Sequence, residues 1–349
     1  MKSLDTISAW LHITDRCNLR CSYCFLPHNP ISMPLDIAFG SIDSIFRSAL
    51  IYHSKDIVIK YAGGEPLLEW DNLLKISTYA KKLSQKYSIN LYEGILTNGT
   101  LIDIEKLDII KKEKFTLTIS YDGDSANTRN YSNGKSSNRD ILEAIKLAIK
   151  YEVMPNISIV INSNNISQIP PLIEFIMRNN LLFKLNLARS NPYNKDTILK
   201  EDKIINGMDK IFQTIEDNLN QIPIDNIFDE MSLEAKHKVC GAGENYLVFN
   251  VDGSIAKCQM QINKQVTSYK DKNPIVKIQQ DDKFVKSFDI DTIDECKECY
   301  IRYYCKGGCP LETFNHTSSY RAKSPHCNIY KAIFPKLLRL KGIQKVLSL

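Results

Sequence analysis

No run in this sequence approaches the ~20 consecutive apolar residues that a membrane-crossing helix needs, so no spanning segment is expected. Its first residues, Met1-Lys2-Ser3-Leu4-Asp5, lead into no apolar stretch of roughly 7–15 residues, so no secretory signal is expected either. Long runs of one charge sign are also missing. The 45 basic and 40 acidic residues are interspersed, and the net +5 gives no reason to expect nucleic acid as a partner. These absences lead to the expectation of a cytoplasmic protein with neither a membrane nor a nucleic-acid partner. What remains is 349 residues, 43% of them hydrophobic, enough for one large or two medium domains with a full core. Ten cysteines without export are more readily metal ligands than disulfides.

Three of the ten form the run Cys17-Asn18-Leu19-Arg20-Cys21-Ser22-Tyr23-Cys24, spaced C-x3-C-x2-C. Three thiolates cannot complete a tetrahedral metal site, although a zinc knuckle is the competing reading. They can hold three irons of a [4Fe–4S] cluster and leave the fourth iron open. Around this run, strand-like and helix-like stretches alternate. Strands are expected at Trp10–Thr14, Ile57–Tyr61, Asn90–Leu96, Phe115–Ser120, Ile157–Ile161 and Phe183–Leu187. The helices between them are expected near 34–53, with Ser32 as cap, then 67–86, 102–113, 139–151 and 168–180. Such alternation implies an α/β fold with a parallel sheet, short of the eight units of a closed barrel. The expected core is a partial (β/α)6 TIM-like barrel over 1–190. Glu201–Leu219 and Phe228–His237 are expected to be helices of a bridge over 191–235.

The cysteine spacing, followed by Phe25 and preceded by an apolar strand, resembles the radical S-adenosylmethionine (radical SAM) enzymes. The resemblance implies that the open iron chelates SAM and that an electron cleaves its sulfonium to a 5′-deoxyadenosyl radical. Gly63-Gly64-Glu65-Pro66, where the second strand ends, resembles that family's GGEP motif. It implies glycines that let backbone carbonyls approach the methionine amino group. Thr97-Asn98-Gly99 and Ser120-Tyr121-Asp122-Gly123 end the next two strands. The resemblance puts Ser120 and Asp122 near the SAM methionyl and ribose groups, Asn162 near the ribose, and Tyr23 against the adenine. Asn98 lies at the corresponding strand end. An arginine is expected to pair with the SAM carboxylate; Arg129 arrives early for that role and Arg139 late.

The other seven cysteines fall after residue 239. Cys240 and Cys258 flank Gly253, followed by Cys296-x2-Cys299-x5-Cys305-x3-Cys309 and then Cys327. Tyr246–Val251 followed by Asp252-Gly253 reads as a hairpin that joins Cys240 and Cys258 at its base. Paired zinc ribbons are the competing reading. The full spacing is similar to the SPASM domain of radical SAM enzymes, expected here over 236–349 with a C-terminal helix. That resemblance implies Cys240, Cys258 and Cys309 on one auxiliary cluster, and Cys296, Cys299, Cys305 and Cys327 on a second. The total is then three [4Fe–4S] clusters with no cysteine left over. Sulfatase-maturing relatives carry one more cysteine shortly before Cys240. Glu234 and His237 lie there instead, as candidate fourth ligands beside an open iron.

The resemblance implies an oxidoreductase that oxidatively modifies, and crosslinks, side chains of a ribosomally made precursor peptide. The alternative is an anaerobic sulfatase maturase that makes formylglycine. A third reading is a non-catalytic iron–sulfur or zinc protein, which the SAM-pocket motifs oppose. Reduced flavodoxin or ferredoxin is the electron donor the family implies. Only sixteen residues precede Cys17, so the expectation is either that the barrel and SPASM surfaces recognise the substrate or that a separate protein supplies leader binding.

Overall fold

The computed structural model describes residues 3–123, 128–191 and 199–347. Some of the polar loop after Gly123 and the start of the expected bridge after 191 lie outside them. The chain opens with β1 (Thr6–His12) and β2 (Leu19–Cys21), then α1 (Leu35–Tyr52), β3 (Asp56–Ala62), α2 (Trp70–Tyr87) and β4 (Asn90–Thr97). Next come α3 (Ile104–Glu113), β5 (Thr116–Ser120), β6 (Arg129–Tyr131), α4 (Asn138–Lys150), β7 (Asn156–Ile161), α5 (Ile169–Arg178), β8 (Phe183–Leu187) and α6 (Glu201–Asp217). The last third carries β9 (Tyr246–Phe249), β10 (Ser254–Ala256), β11 (Thr267–Ser268), α7 (Pro274–Gln280), α8 (Arg302–Cys305), α9 (Pro310–Thr317) and α10 (Cys327–Leu347).

Six strands, β1, β3, β4, β5, β7 and β8, pair in parallel with helices following each, as the alternation implies. Period-2 side chains explain the layering. On β3, Ile57, Ile59 and Tyr61 are buried in the core, while Lys60 between them points to the opposite face. The sheet continues past β1 in the order β11-β10-β9-β1-β3-β4-β5-β7-β8, so it ends in two edges and does not close. β9 lies parallel to β1, with Ser8 opposite Tyr246 and Leu11 opposite Phe249. The hairpin is the one the Asp-Gly pair suggests. Gly253 has φ +77°, a conformation that favours glycine, and Asp252 Oδ1 accepts from Ser254 N at 2.9 Å. One apolar core runs from Ile7 to Leu340 and joins both halves.

Two local expectations fail. Phe228–His237 is not helical: Ile227 O accepts from Leu185 N at 2.6 Å, and Asp229 N donates to Leu185 O at 3.3 Å. Ile224, Ile227, Phe228 and Met231 are buried at helix-like spacing, but this stretch's backbone bonds go to the β8 edge instead. Ser32 does not cap α1 either. Pro34 occupies the cap position, and Ser32 Oγ instead bonds Thr14 Oγ1 at 2.8 Å and Glu69 Oε1 at 2.6 Å.

Candidate active site

The cysteine loop leaves β1 and crosses the end of β3. Gly64 N donates to Thr14 O at 2.7 Å and Glu65 N to Arg16 O at 2.8 Å. A Cβ on Gly63 would stand 2.4 Å from Thr14 O, and one on Gly64 2.4 Å from Arg16 O. The close approach these glycines allow is therefore to the chain's own backbone just before Cys17. Gly64→Ala keeps every thiol but pushes backbone against backbone, which exceeds the usual overpacking cost of about 1–3 kcal/mol. We expect this variant, after anaerobic reconstitution, to take up less iron than the wild type, as metal analysis would show. An iron content equal to that of the wild type would refute the packing role.

Entry into the loop is held by a pair not foreseen from sequence. Buried His12 Nε2 lies 2.8 Å from Asp15 Oδ1, and Asn29 Nδ2 donates to Asp15 Oδ2 at 3.0 Å. Burial opposes the Asp15 charge, but these two partners outweigh it and hold the carboxyl below its ordinary range.

β2 pairs antiparallel with β6, which puts Cys21 opposite Arg129. Arg129 is buried, its Nη1 lies 3.8 Å from Cys21 Sγ, and its guanidinium sits 5.3 Å over the Tyr23 ring. Arg139 is exposed on α4. Asp122 joins these groups. Its Oδ2 accepts from Tyr23 Oη at 2.5 Å, Thr128 Oγ1 at 2.9 Å and Arg129 Nε at 3.0 Å, and its Oδ1 from Val160 N at 2.9 Å. Its carboxylate is thus occupied by the protein.

Glu65, just after β3, is tied down in the same way. It is fully buried and accepts from Leu67 N at 3.0 Å, Thr97 Oγ1 at 2.6 Å and Asn98 N at 2.7 Å. Burial pushes its carboxyl up to about 7 against the pull of those donors. Asn98 Nδ2 donates to Asn18 Oδ1 at 2.9 Å and approaches Cys17 Sγ at 4.0 Å. Ser120 is half-buried at the end of β5. Asn162 is buried in a turn, its Oδ1 accepting from Asn164 N at 2.8 Å and Asn165 N at 3.1 Å.

All ten cysteines are free thiols. Burial pushes Cys17 up to about 12 and Cys21 up to about 11, and raises Cys24. Each of Cys17 and Cys21 also feels the charge of its loop neighbours. Cys240, Cys258 and Cys309 form a second group: burial pushes Cys258 up to about 11, with Cys240 adding, and Cys309 up to about 12, with Cys258 adding. Cys296, Cys299, Cys305 and Cys327 wall one cavity together with Arg302 and Lys323. Burial, then the neighbouring thiols, pushes Cys296 and Cys305 up to about 11. Thiols so gathered disfavour ionisation until a cationic centre neutralises them, which is the donor set an iron–sulfur cluster takes.

His237 and Glu234 do not join the second group. His237 Nδ1 lies 3.3 Å from both Asp289 Oδ1 and Asp291 Oδ2, and its side chain is 61% exposed. Glu234 pairs with Lys236 at 2.8 Å and is equally open. Their ion-pair partners are Lys236 for Glu234 and the 289–291 turn for His237.

Residues 11–176 match the Radical SAM superfamily as a sequence family. The cysteine-type anaerobic sulfatase-maturating enzyme of Clostridium novyi is 23% identical over 379 residues, covering 100% of this chain and 99% of that protein. The solved structure of native anSMEcpe with bound AdoMet and Cp18Cys peptide matches with a TM-score of 0.79 at 21% identity, covering 98% of this chain and 99% of that one. Streptococcus suis SuiB bound to its precursor peptide SuiA matches with a TM-score of 0.65 at 16% identity, covering 92% and 76%. At these identities the structural likenesses establish the shared fold.

Proposed function

We propose, from the match of residues 11–176 to the Radical SAM superfamily, that this enzyme is a maturase that oxidatively crosslinks side chains of a ribosomally made peptide. A cluster on Cys17, Cys21 and Cys24, with SAM, supplies the 5′-deoxyadenosyl radical that takes a hydrogen from the substrate. Tyr23 and Arg129 orient SAM beside it, with Ser120, Asn98 and Asn162 around the same strand ends. Glu65, Gly63, Gly64 and Asp122 hold that loop rigid, which fixes the distance between the radical and the substrate hydrogen. We divide the chain into a barrel over 1–190, a bridge over 191–235 and a SPASM region over 236–349. Two auxiliary [4Fe–4S] clusters belong to the last, on Cys240, Cys258 and Cys309 and on Cys296, Cys299, Cys305 and Cys327. The enzyme works in the cytoplasm with reduced flavodoxin or ferredoxin, and with a separate leader-binding protein where the precursor has a leader.

The observation that carries this reading is the match of residues 11–176 to the Radical SAM superfamily, and the lining of one cavity by Cys296, Cys299, Cys305 and Cys327 supports it. Anaerobic reconstitution followed by iron and sulfide analysis is expected to give about twelve irons per chain. A stable content of about eight would remove one auxiliary cluster. The second reading, sulfatase maturation, is favoured by the end-to-end match to the Clostridium novyi enzyme. Mass spectrometry after turnover separates the two. Loss of two hydrogens from a precursor peptide supports crosslinking, whereas formylglycine in a cysteine-containing sulfatase peptide supports the alternative.

A further inference from the structure

The two faces of the parallel sheet differ in kind. Partners in parallel register share a face, and so do residues two apart on one strand. Lys60 lies opposite Gly94, and Gly94 opposite Thr116. Further along β5, Ser120 lies opposite Ser158, and Ser158 opposite Lys184. One face therefore carries Lys60, Tyr92, Thr116, Thr118, Ser158 and Lys184. The other carries Ile57, Ile59, Ile119 and Ile159, buried together with the apolar sides of the helices. A closed barrel fills its interior with branched apolar side chains. Here Lys60, Thr116 and Lys184 are exposed, Tyr92 is 56% exposed, and Thr118 and Ser158 are half-buried. The face turned away from the helices is wet, not packed.

Its two lysines are unpaired. Neither Lys60 nor Lys184 makes a side-chain hydrogen bond or ion pair among the described residues. Asp229 stands beside β8, its N donating to Leu185 O at 3.3 Å, but its carboxylate bonds Arg189. Arg189 also donates to Glu230 Oε1 at 3.1 and 2.9 Å, so these three charges satisfy one another. Lys306 donates to Ser232 Oγ at 3.0 Å, and Asp56, at the start of β3, accepts from Asn90 at 2.9 Å. Positive charge is left over on Lys60 and Lys184. The barrel wall around Lys60, and then the like charge of Lys184, lower its ammonium, with Asp229 opposing. Two like charges inside one concave wall call for an anion from outside.

We propose that this face binds a glutamate or aspartate side chain of the peptide substrate, with Lys60 and Lys184 as the cations that select it. The inference rests on the reading of the chain as a peptide-modifying enzyme given above. Lys60 stands just below the Gly63-Gly64 turn, and Lys184 is in register with Ser120 through Ser158. A carboxylate held at that depth would fix a neighbouring residue of the peptide at the strand ends, where the radical forms, and so serve orientation.

The test is fluorescence anisotropy of the full-length reconstituted enzyme with SAM and no reductant. The probes are a labelled peptide of alternating glutamate and alanine and its glutamine counterpart. At about 0.15 M salt, which screens scattered surface charge, the wild type should prefer the glutamate peptide roughly tenfold. Lys60→Gln and Lys184→Gln should each erase most of that preference, and Lys60→Arg should keep it. Lys82→Gln, exposed on α2 among the outer helices, should leave it whole. Acetylation of the wild type gives a second measurement that does not depend on how a variant folds. The glutamate peptide, and not the glutamine one, should slow labelling of Lys60 and Lys184 relative to Lys82. Equal affinity for the two peptides, a preference that survives both substitutions or falls equally in Lys82→Gln, or unprotected Lys60 and Lys184 would overturn the inference. Binding needs no turnover, so failure of the crosslinking reading would show separately, as an unchanged peptide mass after reduction with SAM.

Discussion

Replacing Cys17, Cys21 and Cys24 together by alanine should abolish reductive cleavage of SAM and leave roughly eight of about twelve irons. The three thiols sit on one loop, and the ends of that loop are tied separately from the rest of the cysteines. Gly64 N and Glu65 N fix its entry through Thr14 and Arg16, while the β2–β6 pair fixes its exit. None of these ties passes through a thiol. The variant should therefore keep its fold and its other seven cysteines, so the loss of chemistry is separable from loss of structure. 5′-Deoxyadenosine formation after chemical reduction is the readout. Retained SAM cleavage at more than a trace would place the active-site cluster elsewhere.

What the sequence made legible was what is local. The helix periodicity of α1 to α6 and the Asp252-Gly253 turn depend on residues a few positions apart, and these are found where the pattern places them. What it hid was the choice of distant partners. Phe228–His237 has helical spacing, but β8 offers its unpaired edge to Ile227 and Asp229, and edge pairing satisfies the backbone while burying the same apolar residues. The hairpin was legible; its parallel seat on β1 was not, since nothing in Tyr246–Phe249 names that neighbour. Nearness to Cys240 along the chain singles out His237 and Glu234, yet both side chains are open to solvent and pair with Asp289, Asp291 and Lys236.

Asp122 shows how a motif residue can matter for a reason other than the expected contact. Its carboxylate accepts from Tyr23, Thr128, Arg129 and Val160 N, and it is 1% exposed. Those four donors come from the cysteine loop, from β6 and its approach, and from β7, so one side chain ties three elements together. Asp122→Asn removes the negative charge and puts an amide donor among donors. Arg129 is then left buried without its counter-charge, a change that costs about 3–5 kcal/mol when one partner of a buried pair is lost. Against a total stability of about 5–15 kcal/mol, that is a large fraction. The SAM-free protein should melt on the order of 10 °C lower. SAM cleavage should fall with it, because Tyr23 loses its partner and the Cys21–Cys24 turn loses its anchor. A second substitution gives the decisive comparison. Asp122→Asn combined with Arg129→Met removes the orphaned charge and should recover much of the melting temperature but not the activity. A carboxylate that serves only as a ligand to SAM would leave SAM-free melting unchanged in Asp122→Asn, and that result would sink the tie between loop, β6 and β7.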